Sequence, residues 1–169
     1  THSFTLFPYT TLFRSDYILD EDVVELVFEG LDTYADVWFN GKKILHADNM
    51  FRTYSYDVKD IIKEKNNIKI KFYPFDKERD SLIETYRLRF PEKYAVMRKA
   101  AYQNGWDWAP RYMNMGIWQP VYLKAWTRST ICSASVITKD IHDDKADLFF
   151  RSWKSPPVSH RLEGILPIR

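Results

Sequence analysis

Cysteine is nearly absent from this chain. Cys132 is the only one in 169 residues, which excludes an intrachain disulfide and any paired-cysteine metal site. Lying in an apolar run, it is read as a small core residue. Histidine is scarce too. His2, His46, His142 and His160 show no metal-ligand spacing, so no metal or other cofactor is expected. Five glycines are few for a glycine-rich nucleotide-binding fold. No apolar run approaches the roughly 20 residues of a membrane helix, so no membrane partner is expected. Charge of one sign is missing as well. The net charge is +2, with Lys and Arg interleaved among Asp and Glu, and that leaves no basic field of the kind nucleic-acid binding needs.

Aromatic and apolar residues are abundant. Hydrophobic residues make up 45% of the chain, which excludes a disordered polymer, and aromatics make up 17%, which favours a β-rich core. In Val23–Glu29, Val24, Leu26 and Phe28 alternate with Glu25 and Glu29, as in a half-buried strand ending at Gly30. Tyr34–Phe39 is a second strand. Asn40-Gly41 supplies the two positive-φ residues of a tight hairpin, and Lys42–Leu45 returns. Phe51–Tyr56 alternates and predicts another strand. Asp57 can cap a turn of helix through Val58, Ile61 and Ile62. Asn66-Asn67 reads as a turn before a strand at Ile68–Phe72, which Pro74 stops. Asp76–Tyr94 is a charged surface excursion with some helix, broken at Pro91; its Glu78, Glu84 and Glu92 are solvated-face charges. Gly116–Trp126 and Thr130–Thr138 are strands, and Asp140–Lys145 is a polar turn. Short strands at this spacing predict an all-β sandwich.

One segment departs from every regular period. Gly105-Trp106-Asp107-Trp108-Ala109-Pro110 sets an acid between two indoles, bounded by Gly and Pro, and Gly116-Ile117-Trp118-Gln119-Pro120 follows it. Gly and Pro make the first a shaped loop, and binding residues concentrate on loops. An indole offers a flat apolar face, and a carboxylate offers acceptors. Together they can grip one sugar ring. Trp106 and Asp107 are therefore the candidate substrate-binding residues, although Asp107 could instead cap a turn or pair with Arg98 or Arg111. Trp108 is assigned to core or loop packing. Trp118 is assigned to the core, since Ile117, Val121 and Leu123 alternate with it.

The two ends stand apart. Thr5-Leu-Phe-Pro-Tyr-Thr-Thr-Leu-Phe-Arg-Ser15 matches what one reading frame of a common short-read sequencing adapter encodes. Residues 1–15 are expected to be non-native, with the true start missing, and they do not read as a signal peptide. Ala146–Phe150 begins like a strand, Arg151–Pro157 carries two prolines and no pattern, and Ser159–Arg169 lacks a clear period. A frameshift there is one expectation; a loop with a short final strand is the other.

Several blocks, taken in register, resemble the glycoside hydrolase family 2 β-mannosidases. They are Glu25–Gly41, Asp48–Arg52, Arg98–Ala100, the Gly-Trp-Asp-Trp segment ending at Pro110, and Gly116–Leu123. The match runs over roughly residues 16–126. The resemblance implies a jelly-roll, galactose-binding-like β-sandwich over 16–126, followed over 127–169 by the start of an immunoglobulin-like sandwich. It implies a retaining glycosidase whose two glutamates lie on a downstream (β/α)8 barrel. Such a barrel needs about 250 residues, so no catalytic residue is expected in this chain. It implies that Trp106 and Asp107 contact the terminal mannose of a β-mannoside oligosaccharide. Ala109 stands where Gly is common in the family and Gln119 where Arg is, while Gln103-Asn104 replaces a frequent His-aromatic pair.

The expected function follows from this. The chain is a catalytically inert, substrate-positioning piece of an exo-acting β-mannosidase, with the downstream barrel as its partner. The alternatives are a stand-alone carbohydrate-binding module and a non-binding β-sandwich with an interaction role. Localisation is left open.

Overall fold

The computed structural model describes residues 9–87, 93–143, 145–154 and 161–168. The strands in chain order are β1 (Tyr9–Arg14), β2 (Val23–Phe28), β3 (Leu31–Asp32), β4 (Ala35–Phe39), β5 (Lys42–Ala47), β6 (Tyr54–Asp57) and β7 (Lys65–Phe72). Helix α1 (Phe75–Tyr86) follows, then β8 (Gly116–Ile117), β9 (Val121–Trp126), β10 (Ile131–Ile141), β11 (Ala146–Lys154) and β12 (Arg161–Ile168). The chain divides into two compact units, the first running through Ala125 and the second starting at Trp126.

In the first unit, one sheet has the order β1-β7-β4-β5 and another has β6-β2-β9. Both contribute to a single core. Val24, Leu26 and Phe28 of β2 pack with Val37 and Phe39 of β4 and with Ile68, Ile70 and Phe72 of β7. Full burial of such side chains is worth roughly 1.5–3 kcal/mol each, and this makes the unit an all-β sandwich. The alternation seen in the sequence is met on β2, and Val27 on the other face is buried as well. The β4–β5 hairpin forms as expected: Asn40 has φ +49° and Gly41 φ +85°, the geometry of a two-residue primed turn.

The adapter-like residues make β1. It pairs antiparallel with β7 from Tyr9↔Ile70 to Arg14↔Lys65, and Phe13 packs on Phe39. The ladder is built from backbone groups, so an alternating sequence of any origin can pair there.

Several expectations need correction. Asn66-Asn67 is not a turn but lies within β7. Buried Asn66 is stable there because its amide donates to the Ser15 hydroxyl (2.7 Å) and the Lys63 carbonyl, and accepts from Asn40. The strand expected over Phe51–Tyr56 starts only at Tyr54, and Phe51 stands 63% exposed in a turn. The turn after β6 forms as expected: the Asp57 carboxylate accepts from the Lys59 amide, and the Ile61 and Ile62 amides bond back to the Val58 carbonyl. The excursion after Pro74 is helical through Tyr86, where Arg87 in the left-handed region terminates α1; Glu92 and the break at Pro91 lie outside the described residues. Gly116–Trp126 is two strands, because Pro120 has no N–H to give the ladder and only its carbonyl accepts, from Glu29 (3.0 Å).

The second unit is an antiparallel sheet in the order β10-β11-β12. Cys132, expected in a core, is exposed on β10. Residues 161–168, where no period was legible, form β12 against β11; Pro156 and Pro157 lie outside the described residues.

Candidate functional site

The tryptophan loop is built on a short 3-10 turn, Ala101–Asn104, closed by Gly105 at φ +85°. A Cβ on Gly105 would meet the Ala109 carbonyl oxygen at 3.1 Å and the Arg111 nitrogen at 3.2 Å, so the backbone angle favours glycine and the space is tight for any side chain. Trp106 and Ala109 then exchange backbone hydrogen bonds of 3.0 and 3.1 Å. That leaves Asp107 and Trp108 as the two tip residues of a tight turn.

The turn stands in solvent. Trp106 is 67% exposed, Trp108 84% and Tyr102 80%. These rings, with Ala101, Gly105 and Ala109, line an open pocket of about 370 Å³. Asp107 is exposed beside it and has no hydrogen-bond or ion-pair partner among the described residues. Arg111, one alternative partner for that acid, instead lays its guanidinium over the Phe75 ring at 5.3 Å. Trp106 and Asp107 are thus neighbours at one exposed turn.

Two tryptophans depart from expectation. Trp108 is not packed in the core; the turn lifts it outward. Trp118 is 46% exposed. Its indole N–H donates to the Met50 carbonyl (2.9 Å), and its ring meets Phe51 edge-on at 6.5 Å. It lies against Gly30, where an added Cβ would come within 2.3 Å of the indole nitrogen.

Beneath the loop is a buried polar network that the sequence reading missed. Asp32 of β3 accepts from Lys99 Nζ (2.5 Å) and Thr33 Oγ1 (2.5 Å) at one oxygen, and from Gln103 Nε2 (2.9 Å) at the other. Lys99 also donates to the Asn114 carbonyl (2.6 Å), and the Asn114 amide donates to Gln103 Oε1 (3.1 Å). Burial pushes the Lys99 ammonium below its ordinary value, and the Asp32 carboxylate opposes that shift. Asp32 lies within the Glu25–Gly41 block that carries the resemblance, but nothing in that block shows the acid to be buried. Arg98-Lys99 gave no sign of which cation turns inward.

Among the described residues, no group of three or more His, Cys, Asp and Glu could hold a metal ion, and no helix is long and apolar enough to cross a membrane.

The family profile described as the glycosyl hydrolase 2 galactose-binding domain-like domain matches residues 2–119. The chain belongs to that family. The curated relatives of this family 2 domain include the β-mannosidase of Mus musculus, 33% identical over 132 residues, which cover 70% of this chain and 15% of the mouse protein. β-Mannosidase B of Thermothelomyces thermophilus is 30% identical over 142 residues, covering 79% of the chain and 17% of the relative. Among solved structures, the β-D-mannosidase of Dictyoglomus thermophilum superposes with a TM-score of 0.74 at 25% identity, over 95% of this chain and 23% of that one. A β-glucuronidase from Ruminococcus gnavus (TM-score 0.65, 14% identity) shares the fold. The family 2 domain therefore spans a small part of the length of the curated relatives it matches.

Proposed function

We propose that this domain serves an exo-acting β-mannosidase, which hydrolyses terminal non-reducing β-D-mannose residues from oligosaccharides, as its structural and substrate-positioning element. Residues 16–126 are the sugar-binding sandwich, 127–169 begin an immunoglobulin-like domain, and 1–15 derive from adapter sequence. The chemistry is that of a retaining glycosidase with two carboxylates, both on a barrel elsewhere in the polypeptide. The chain alone is inactive.

The observation that carries this reading is the pairing of Trp106 with Asp107, which has no partner among the described residues, on an exposed tip closed by two backbone hydrogen bonds. The indole covers the apolar face of the ring. The carboxylate accepts from hydroxyls remote from the scissile bond. Such contacts orient the sugar and contribute to the barrier as well as to binding. They also select against epimers, which would leave the carboxylate unpaired.

The test is Asp107→Ala in the complete enzyme, where kcat/KM for a β-mannoside falls by about two orders of magnitude; unchanged kinetics remove the sugar contact. The pocket of about 370 Å³ formed by this chain alone favours the second reading, a stand-alone carbohydrate-binding module. Calorimetric titration of the 169-residue chain with mannose separates the two: no measurable heat is expected without the barrel, and measurable affinity supports the module.

A further inference from the structure

Ten residues, 104–113, separate Gln103 from Asn114, and the tryptophan turn lies among them. The two ends of this loop are joined to each other by the bond from the Asn114 amide to Gln103 Oε1 (3.1 Å). Both are also joined to the sandwich. Gln103 Nε2 donates to Asp32 Oδ2 (2.9 Å), and Lys99 Nζ bridges Asp32 Oδ1 and the Asn114 carbonyl. Asp32 is 4% exposed, Gln103 5% and Lys99 7%, in sharp contrast with the exposed tip they carry. At the end of the loop Met113 packs beside Tyr34, Phe75 and Met97.

We infer that Gln103, backed by the Asp32–Lys99 pair, is the positioning residue that sets where Trp106 and Asp107 stand relative to the sandwich. Like the Lys99 ammonium, its amide is joined both to the scaffold and to the far end of the loop, and unlike Lys99 it stands at the loop's own start. The chemistry fits that task. A primary amide has donors and an acceptor at fixed separation, so it can bind the carboxylate and receive the backbone N–H at once. Loss of Gln103 strands a buried carboxylate oxygen and a backbone N–H. The loop then regains freedom at its base, and the tip moves. The geometric part stands by itself; its consequence for a sugar rests on the reading of Trp106 and Asp107 given above.

The test uses the 169-residue chain and two-dimensional NMR of the indole and backbone N–H groups. Gln103→Leu keeps the volume and removes both hydrogen bonds. The expected result is shifted or broadened indole signals for Trp106 and Trp108, with the β2 and β7 amides still protected from exchange. Gln103→His keeps one donor and one acceptor and is expected to restore signals near the wild-type positions. Unmoved indole signals in Gln103→Leu overturn the inference, as does a uniform loss of protection throughout a still-folded chain. If Gln103→Leu does not fold, exchange in the wild-type chain decides. The Asn114 amide is expected to be protected and to open together with the Trp106 amide, ahead of β2. Free exchange at Asn114 overturns the inference. In the complete enzyme, Gln103→Leu is expected to raise KM about tenfold with a smaller change in kcat, and Gln103→His to reverse it. The two readings fail separately. Inert Asp107→Ala kinetics with moved indole signals remove the sugar and leave the positioning; unmoved indole signals with damaged Asp107→Ala kinetics do the reverse.

Discussion

Asp36 lies on β4 with an exposure of 7%, and three donors meet its carboxylate: Lys43 Nζ at 2.8 Å, His46 Nδ1 at 2.7 Å and Tyr73 OH at 2.7 Å. Burial alone would raise its pKa, but these hydrogen bonds outweigh that and hold it at about 2, against an ordinary 3.8. The same contact pushes the Tyr73 hydroxyl up to about 12. The folded chain therefore binds fewer protons at Asp36 than the unfolded chain does. The resulting stability is present above about pH 4 and is lost as pH falls toward 2. It is on the order of 2 kcal/mol. Denaturant titrations of wild type and Asp36→Asn should accordingly differ most near neutral pH and converge in acid; a pH-independent difference contradicts this. At the same scale, residue type announced the exposed Trp106 and Asp107 but not the buried Asp32–Lys99 pair. Burial of a charge is decided by partners from distant segments. Asp32 and Lys99 are 67 positions apart.

Elements were legible where local chemistry is self-sufficient. The β4–β5 hairpin needs only two adjacent residues that tolerate positive φ, and Asn40-Gly41 states both. Gly41→Ala places a Cβ in the left-handed region, with nothing within 4 Å to clash. The cost is then purely conformational, about 1–2 kcal/mol, and chemical denaturation measures it. Where a competing element supplies the partner, the local signal misled. Asn66-Asn67 carries turn residues, yet Ser15, Lys63 and Asn40 satisfy the Asn66 side chain, and β7 runs through it. Trp118 alternates like a core residue, but Pro120 interrupts the ladder and the indole ends against Gly30. Ser159–Arg169 showed no period, yet 161–168 pairs with β11 through backbone groups, whose bonding is indifferent to side-chain alternation.

On the scale of the whole molecule, the two units differ in how much apolar surface they cover. The first buries residues from its four-stranded sheet, its three-stranded sheet and the short β3-β8 pair in one core. Among its described residues the second forms one sheet, and its β10 exposes Ile131 (55%), Val136 (60%), Ile137 (49%) and Ile141 (81%). A long apolar edge strand pairs readily with another chain. Val136→Lys is expected to reduce self-association, read as a lower weight-average mass in light scattering at matched concentration; an unchanged mass would show that β10 is not the adhesive edge.

The sequence by itself determined the strand-rich character, the hairpin, the absence of a disulfide and the Trp106-Asp107 tip, because each rests on a short period or on adjacent residue types. Only the tertiary structure decided which sheets share a core, that Trp108 faces outward and that Trp118 stays half-exposed against Gly30. It alone put Asp32, Lys99, Gln103 and Asn114 together beneath the loop. Those outcomes depend on contacts between segments far apart in the chain, and no local pattern encodes which distant group will arrive to satisfy a buried charge.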